Sequence, residues 1–333
     1  MASTGIASQQ SGVQLQPAPE VPISDQSLSE YGRMIKFDEK YIKNANAVCR
    51  KVCEALKGSD LKPVRFSMSE SHVCQNGKDE TGVDIVAFLN ESESLEKAHG
   101  HYEQLVQKLG AQKITRDARG VIHFDLDNVK VNLGTSISRG PTVGEHRRAV
   151  FQNITRVNPQ GKLEKNQIEK VSVDLHDSAN EFLNTQDEFD LAASRLARAW
   201  RRTALPETDW FSPLDSMLVM RNALRNERRR GGMLQMKNVF RSFLNDISNL
   251  GTMNLTFPDE SIYDWDLVPS FIQAERPLLL DPINPWRNPL SGGRMFNDIQ
   301  ETAQEALRVL DDTSASMRDL FNVTPELTAR GGA

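Results

Sequence analysis

The spacing of apolar residues in the first half of the chain predicts a mixture of helices and strands. Apolar side chains recur at helical intervals from about Met34 to Leu56, and Gly58 then ends this predicted helix. A further helix is predicted from Leu95 to Leu109. Short apolar runs predict strands at 64–69, 84–90, 120–127 and 129–137. The last two form a predicted hairpin that turns near Asp127 and Asn128.

The second half of the chain has the longer apolar periodicity of helices. Helical stretches are predicted at 167–185, 187–204, 212–230, 236–250 and 296–312. Strands followed by helices predict an α+β fold, with a mixed sheet domain, a mainly helical C-terminal domain and a cleft between them. We expect the sheet domain at 27–155 and the helical domain at 156–318. The Ser-, Gln- and Pro-rich residues 1–26 and the residues 319–333 are predicted to be flexible tails.

The composition of the chain indicates its cellular compartment but not the reaction that it carries out. The chain has 333 residues, 26% of them charged, with a net charge of −5 and three cysteines. So few cysteines do not make a disulfide framework, which favours a reducing compartment. The N-terminus lacks the basic start and apolar middle of a signal peptide, and the sequence has no apolar run long enough to span a bilayer. We therefore expect a cytoplasmic protein, or alternatively a nuclear one, without membrane contact.

A small sheet with a carboxylate at a strand mouth, followed by a helical domain, suggests a template-independent nucleotidyltransferase. Five segments make this specific: RPLLLDPINPWRN (276–288), LARAWRRT (196–203), FSPLDSMLV (211–219), GVDIVAFLN (82–90) and VKVNLG (129–134). In order and spacing they resemble motifs of the oligoadenylate synthetase family. RPLLLDPINPWRN (276–288) resembles the family's RPVILDPADPTNN, and LARAWRRT (196–203) with FSPLDSMLV (211–219) resembles a consecutive pair of its helices. GVDIVAFLN (82–90) and VKVNLG (129–134) resemble its two metal-binding strands, DADLVVFL and VEFDVLP. The resemblance covers most of residues 30–310 and implies a nucleotidyltransferase-like fold.

The resemblance also implies that the catalytic residues have degenerated. Members of the family hold two magnesium ions with three aspartates, which here fall on Gly82, Asp84 and Asn132. The family's Gly-Ser phosphate turn falls on Met68 and Ser69. One carboxylate of three remains, so we expect no catalytic residues, no metal and no cofactor.

Other acids could in principle replace the missing ligands. Asp79 and Glu80 precede Gly82, and Asp125 and Asp127 share one face of a neighbouring strand. Solvated loop charges and a turn-forming Asp127 are the better interpretation of these residues. The alternative is an active enzyme that makes oligoadenylate or a related product from ATP and Mg²⁺.

The nucleotide-binding half of the resemblance is better preserved. Arg198 occupies the position of a family lysine that contacts the donor triphosphate, and Ser212 begins a nucleotide-contacting helix. From Asp190 to Leu250 there are eleven basic and six acidic side chains, a local balance of +5. Candidate contacts for structured or double-stranded RNA, or for an acidic protein, are Arg201, Arg202, Arg225, Arg228, Arg229 and Arg230. A solvated helix end is the alternative interpretation of these arginines.

Cysteine and tryptophan positions add little chemistry. Cys49 and Cys53 lie four residues apart on a predicted helix, and His72 and Cys74 follow in a loop. A helical C-x₃-C is not a zinc knuckle, so core thiols are the preferred interpretation. The tryptophans Trp200, Trp210, Trp265 and Trp286 are predicted to pack in the core or at the domain junction.

The sequence hypothesis is therefore a catalytically inactive oligoadenylate synthetase-like protein. It would act as a scaffold for RNA, for a protein partner or for its own dimerisation. Nucleotidyltransferase-like domains that have lost their metal ligands serve as dimerisation modules elsewhere, which is an analogy of fold.

Overall fold

The fold was determined as a computed structural model. The structure describes residues 17–35, 39–70, 82–158, 160–183, 185–206, 208, 210–292 and 296–323.

Strands dominate the first part of the described chain. Its elements are α1 (Asp25–Met34), α2 (Glu39–Lys57), β1 (Arg65–Glu70), β2 (Val83–Leu89), α3 (Leu95–Lys108), β3 (Gln112–Arg116), β4 (Ile122–Leu126) and β5 (Val129–Ile137). Helices dominate the remainder. They are α4 (Val143–Val157), α5 (Lys165–Asp174), α6 (His176–Leu183), α7 (Glu188–Ala204), α8 (Pro213–Arg230), α9 (Met236–Ser248), α10 (Ser270–Gln273), α11 (Asn297–Asp311) and α12 (Met317–Phe321), with the short strands β6 (Asn254–Leu255) and β7 (Leu278–Leu279).

The described residues of the first half form a mixed sheet with strand order β1-β2-β5-β4-β3. The central strands β2 and β5 run parallel, and the other neighbours are antiparallel. Asp127 and Asn128 both have positive φ, as the two-residue turn of a hairpin requires, so the predicted hairpin between β4 and β5 is confirmed. One face of the sheet packs its apolar side chains against α2 and α3.

The helical half has its own larger core, built around α7, α8, α9 and α11. Helix α1 packs against α7 and α9 of this core, with Leu28 and Tyr31 buried. Helices α5 and α6 connect the two halves. Helix α5 contacts β5 and helix α6 contacts the edge strand β1, while Val171 and Phe182 of these helices belong to the helical core. The predicted α+β architecture is confirmed.

Several element boundaries differ from the sequence expectation. The helix predicted from Met34 to Leu56 is α2 alone, because Met34 is the last residue of α1. The stretch predicted as one helix at 167–185 is α5 and α6, which are separated at Leu175. The predicted tail boundary at residue 26 lies inside α1, which begins behind its N-cap Ser24.

Helix α4 and strand β3 were not predicted. A sequence signal for α4 was present, since Thr142 and Glu145 form a capping box at its start. Strand β3 is short and mostly exposed, so its residues lack the alternation that identifies a strand.

The prediction that all four tryptophans are core residues is wrong for Trp265. Trp200 and Trp286 are buried, but Trp265 is 45% exposed. It lies in a 3₁₀ turn at Trp265–Leu267, which runs over the surface where a large side chain has few neighbours.

Cys49 and Cys53 are buried free thiols, as expected for core residues. Burial raises the pKa of Cys49 to about 12 and that of Cys53 to about 11, so both stay protonated. His72 and Cys74 lie outside the described residues. In the part of the chain that the structure describes, no cluster of three potential metal ligands occurs and no helix is long and apolar enough to cross a membrane.

Candidate functional site

A row of polar side chains crosses the sheet at one level. The strand register places Ser69 of β1 opposite Asp84 of β2, Asp84 opposite Asn132 of β5, and Asn132 opposite His123 of β4. Their sequence neighbours, such as Ile85 and Leu133, belong to the apolar face. Because side chains alternate along a strand, the polar row points to the opposite face, on the side of α5 and α6. The register thus brings together two of the three positions that the resemblance assigns to metal ligands.

Asp84 and Asn132 are joined by a direct hydrogen bond. The amide Nδ2 of Asn132 donates to Asp84 Oδ1 across 2.8 Å. Asp84 is fully buried, with an exposed fraction of 0%. The third position, Gly82, lies just before β2, is also buried and offers no side-chain ligand. At this level of the sheet, one carboxylate therefore faces an amide donor.

The orientation of the Asn132 amide is fixed from its other side by His123. His123 Nδ1 lies 2.7 Å from Asn132 Oδ1, and His123 Nε2 lies 3.1 Å from Asp117 Oδ2. Both ring nitrogens face acceptor oxygens, so a doubly protonated ring satisfies both contacts. The hydrogen bond with Asp117 raises the pKa of His123, against the opposing effect of its burial. Burial alone would raise the pKa of Asp117, but hydrogen bonds from His123 and Arg119 lower it well below its usual range.

The positions of the family's phosphate turn lie in strand β1. Met68 is 51% exposed, and the Ser69 hydroxyl lies 3.0 Å from Nε2 of His176 in α6. Nδ1 of His176 lies 2.7 Å from the Ser67 hydroxyl, which also accepts from Asn180 at 2.9 Å. The serine hydroxyls of this strand are therefore engaged with α6. Asp79 and Glu80, the proposed replacement ligands, lie outside the described residues.

Asp125 and Asp127, the other candidate acids, both form ion pairs with lysines. Asp125 Oδ2 lies 2.9 Å from Lys113 Nζ. Asp127 Oδ2 lies 2.9 Å from Lys51 Nζ of α2, and Asp127 itself forms the hairpin turn. The turn-forming interpretation of Asp127 is confirmed.

The start of α8 holds a dense polar network. Ser212 is its N-cap, and its hydroxyl donates to Asp215 Oδ2 at 2.8 Å in a capping box. Arg287 donates to Asp215 at 2.7 Å and to Asp281 at 3.2 Å. These contacts anchor the segment 276–288 to the start of α8. Arg198 is half-buried on α7, and its nucleotide contact and that of Ser212 remain predictions.

The arginines predicted to contact RNA are largely engaged within the protein. Arg201 is only 4% exposed, and it donates to the carbonyl oxygens of Phe211 and Thr208. Its guanidinium therefore holds the α7–α8 connection and does not contribute to a surface. Arg202 is half-buried on the same helix.

The candidate arginines of α8 are also engaged, mostly with partners from other segments. Arg225 donates to the Thr256 carbonyl at 3.1 Å and lies over the Phe257 ring. The others form ion pairs: Arg228 with Asp187 and Asp190, Arg229 with Asp259, and Arg230 with Glu227. The local charge of +5 was counted from Asp190 to Leu250, which leaves out Asp187 and Asp259. The surface around these arginines is therefore less basic than the sequence count suggests.

Sequence reasoning missed the residues that surround Asp84 and Asn132. His123 had a usable signal, because it alternates with apolar residues in IHFDL and so shares a face with the polar row. His176 and Asn180 had none, since they approach β1 from a helix more than 100 residues away.

The fold is similar to those of several solved proteins. CdnC from E. coli MS115-1, solved with ATP, is 13% identical, with a TM-score of 0.58 over 90% of this chain and 95% of that one. A Cid1 poly(U) polymerase bound to MgATP is 12% identical, with a TM-score of 0.61 over 89% of this chain and 98% of that one. GLD-2, solved in complex with RNP-8, is 9% identical, with a TM-score of 0.55 over 90% and 98%. No protein-family model and no curated protein sequence matches the chain.

At sequence identities of 9–13%, these structural similarities show a shared fold and not a shared activity. The predicted nucleotidyltransferase-like architecture is confirmed by these similarities, which extend over both the sheet and the helical half. The chain thus has the fold of the template-independent nucleotidyltransferases.

Proposed function

We propose that this protein is a nucleotidyltransferase-fold scaffold that does not transfer nucleotides and instead binds RNA or a protein partner. The hydrogen bond between Asp84 and Asn132 is the observation that carries the proposal. It joins the positions where the resemblance expects two magnesium-binding carboxylates.

The residues at this level of the sheet do not fit a pair of magnesium ions. Magnesium takes oxygen ligands in near-octahedral geometry, and paired ions need several carboxylates to offset their charge. Gly82 supplies no ligand, and Asn132 presents an N–H donor to the buried Asp84 carboxylate. His123, whose ring is held by Asp117, opposes rotation of that amide, because protonation of both ring nitrogens satisfies the present contacts and would set N–H against N–H in the rotated amide.

Without the metals, transfer loses its main source of charge stabilisation. Metal ions neutralise the triphosphate and activate the attacking hydroxyl, and no basic side chain in the row replaces both effects. We therefore expect transfer activity to be lower than in a metal-loaded enzyme by many orders of magnitude.

A transfer assay tests the proposal directly. The full-length protein is incubated with labelled ATP or UTP, Mg²⁺ or Mn²⁺, and single- or double-stranded RNA. We expect no labelled product above the level given by the Asp84→Asn variant, which serves as the matched control. Product that forms with the wild-type protein and disappears in Asp84→Asn would instead establish the alternative, an active nucleotidyltransferase.

A metal-binding measurement separates loss of ligands from loss of other catalytic features. Mn²⁺ binding is followed by electron paramagnetic resonance for the wild type and for Gly82→Asp/Asn132→Asp, which restores all three carboxylates. We expect no wild-type binding at millimolar Mn²⁺ and measurable binding by the repaired variant, provided that its circular dichroism matches the wild type.

Two observations support a partner for the scaffold: the complexes of a protein with a similar fold, and the exposed arginines of α8. GLD-2, a protein of similar fold, has been solved in complexes with RNP-8 and GLD-3, which supports a protein partner. Arg228, Arg229 and Arg230 are exposed at the end of α8, which supports contact with RNA phosphates or an acidic protein. Their ion pairs with neighbouring acids would have to be exchanged for the new contacts.

A further inference from the structure

A groove runs along one face of α4, outside every position that the resemblance singled out. Its volume is about 730 Å³, within the range of ligand sites. One wall is a continuous helical face, and the other is the segment 261–267. The lining residues are Gly144, Arg147, Arg148, Phe151, Gln152, Thr155, Arg156, Ser261, Ile262, Tyr263, Asp264 and Leu267.

The groove is basic along its whole length. Arg147 and Arg148 lie near the start of α4 and Arg156 lies at its end, whereas Asp264 is the one acid in the lining. Arg148 and Arg156 are eight residues apart, which is about 12 Å along a helix. A single compact phosphate cannot span that distance, but an extended chain of phosphates can. Gln152 and Thr155 lie between them and add hydrogen-bonding side chains.

These arginines are less committed to internal contacts than those of α8. Among the described residues, no carboxylate forms an ion pair with Arg148 or Arg156, and both side chains are exposed. Arg156 donates only to the neutral Asn153, and Arg147 lies 3.8 Å from Glu181. By contrast, Arg228 forms ion pairs with Asp187 and Asp190. An incoming anion therefore displaces little at α4.

An exposed aromatic side chain accompanies the positive charge. Trp265 lies between the groove-lining residues Asp264 and Leu267 and is 45% exposed. Tyr263 is buried, and its hydroxyl donates to the Asp281 carbonyl, so it forms part of the floor. Trp265 is not one of the lining residues, but it directly follows the lining residue Asp264 and so lies at the edge of the groove. A positively charged groove with an exposed aromatic side chain at its edge is the combination used to bind single strands and stack their bases.

The residues that line the groove are separate from the polar row. None of them is Ser69, Asp84, Asn132 or His123, and none lies on a strand of the sheet. Asp84 is near the start of β2, whereas α4 contacts the other end of that strand, where the rings of His146 and Phe88 lie 5.1 Å apart.

We propose that the α4 groove binds single-stranded nucleic acid, with backbone phosphates on Arg148 and Arg156 and a base stacked on Trp265. A duplex keeps its bases stacked inside and offers none to the tryptophan, so the aromatic residue favours a single strand. An acidic peptide could contact the arginines but supplies no base to stack. The proposal concerns a separate surface from Asp84 and holds whether or not the chain transfers nucleotides.

Fluorescence anisotropy of labelled oligonucleotides tests the groove in the full-length protein at low salt. The probes are a mixed-sequence RNA and the DNA of the same sequence, each single-stranded, with the RNA duplex and a poly-glutamate peptide for comparison. The test variant is Arg148→Glu/Arg156→Glu. Arg308→Glu/Arg318→Glu on α11 and α12 is the matched control, because it makes the same change in net charge at two exposed arginines outside every proposed binding surface. Circular dichroism confirms that both variants are folded.

We expect the α4 variant to bind the single strand at least about 10-fold more weakly, and the Arg308→Glu/Arg318→Glu variant to stay within about threefold of the wild type. Replacing both α4 arginines by alanine should reduce the slope of log K against log salt by about 1.4, since each phosphate contact contributes about 0.7 for single strands. Trp265→Ala should weaken binding by about 10-fold. Binding of the RNA, of the DNA or of both through these residues supports the proposal.

Four results would overturn it. These are no binding of either single strand at low salt, an equal loss in the α4 variant and the Arg308→Glu/Arg318→Glu control, no effect of Trp265→Ala, and tighter binding of the duplex or the acidic peptide through the same arginines. The transfer assay fails or succeeds independently of all four, so the two proposals can be rejected separately.

Discussion

His123 in the polar row and His176 beside it have pKa values shifted in opposite directions, because their neighbours differ. His176 is fully buried between two serine hydroxyls, and burial lowers its pKa to about 4. His123 faces the Asp117 carboxylate, whose hydrogen bond raises its pKa. His176 is therefore neutral between the serines of β1, whereas the contacts of His123 favour its protonated form. Partner chemistry outweighs burial in one case and not in the other.

The buried His176 predicts a loss of stability in acid. Its folded pKa of about 4 lies below the unfolded value of about 6.5, so the unfolded chain binds more protons between these limits. The titration of His176 therefore leaves the free energy of unfolding unchanged above about pH 6.5 and lowers it as the pH falls towards 4, by about 2 kcal/mol at pH 5. Urea unfolding at pH 7.5 and pH 5 should show this decline in the wild type.

The His176→Gln variant should show an acid decline that is smaller by that amount. Asn180→Ala is the matched control, because it disturbs the same Ser67 hydroxyl without removing a titrating group. If Asn180→Ala reduced the decline as much as His176→Gln, the assignment to His176 would be wrong. His123 acts in the opposite direction, since its raised pKa gives stability that is lost as the pH rises through the folded value.

At the scale of elements, the segment 276–288 shows how a loop without regular structure is held in place. Asp281 accepts the backbone N–H groups of Ile283 and Asn284, and Asn284 donates to the Ile168 carbonyl of α5. Arg287 links Asp281 to Asp215 at the start of α8. Burial alone would lower the pKa of Arg287, but the two carboxylates raise it above its ordinary value. The segment thus fastens α5 and α8 to one another.

Removing Arg287 should destabilise the protein strongly. Arg287→Met leaves the buried Asp215 and Asp281 carboxylates without their cation, which costs about 3–5 kcal/mol in comparable buried pairs. Arg276→Met is the matched control within the same segment, since Arg276 is exposed and donates only to backbone carbonyls. Chemical denaturation measures both. A loss for Arg287→Met no greater than that of the control would show that the ion pairs contribute little.

At the scale of the whole molecule, both ends of the described chain pack onto the helical half. The Tyr31 ring of α1 lies 5.0 Å from the Phe321 ring of α12, and the backbone N–H of Met317 donates to the Val21 carbonyl. The sheet is therefore flanked by a helical body that includes residues from before and after it in sequence. Removing the early segment would expose the core of the helical half and not that of the sheet.

Leu28→Ala should accordingly destabilise the helical half. Leu28 is fully buried in the core around α7 and α9, and such truncations cost about 2–5 kcal/mol. Gln26→Ala, two residues earlier and on the exposed face of α1, is the control and should change stability by less than about 0.5 kcal/mol. Hydrogen exchange should show the larger loss of protection in α7 and α9 than in β2 and β5. A loss confined to the sheet would contradict the assignment of α1 to the helical half.

Prediction from sequence succeeded where a structure depends on a few neighbouring residues. The hairpin at Asp127 and Asn128, the core strand β2 and the end of α2 before Gly58 follow from local turn chemistry and periodicity. It failed at α4, whose capping box at Thr142 was overlooked, and at Trp265, whose exposure depends on a surface turn. Contact of Arg198 and Ser212 with a nucleotide is still a prediction.

By itself, the sequence predicted a sheet domain followed by a helical domain with a nucleotidyltransferase-like fold. The residue type at a position is local information, so the resemblance was enough to predict that Gly82 and Asn132 stand where carboxylates are expected. Only the tertiary structure decided what the groups around them contact. It set the Asn132 amide against Asp84, brought Asp187 and Asp259 to the arginines of α8, and left Arg148 and Arg156 exposed along the α4 groove. These outcomes depend on partners distant in sequence, which periodicity cannot identify because it reports only which face of an element is buried.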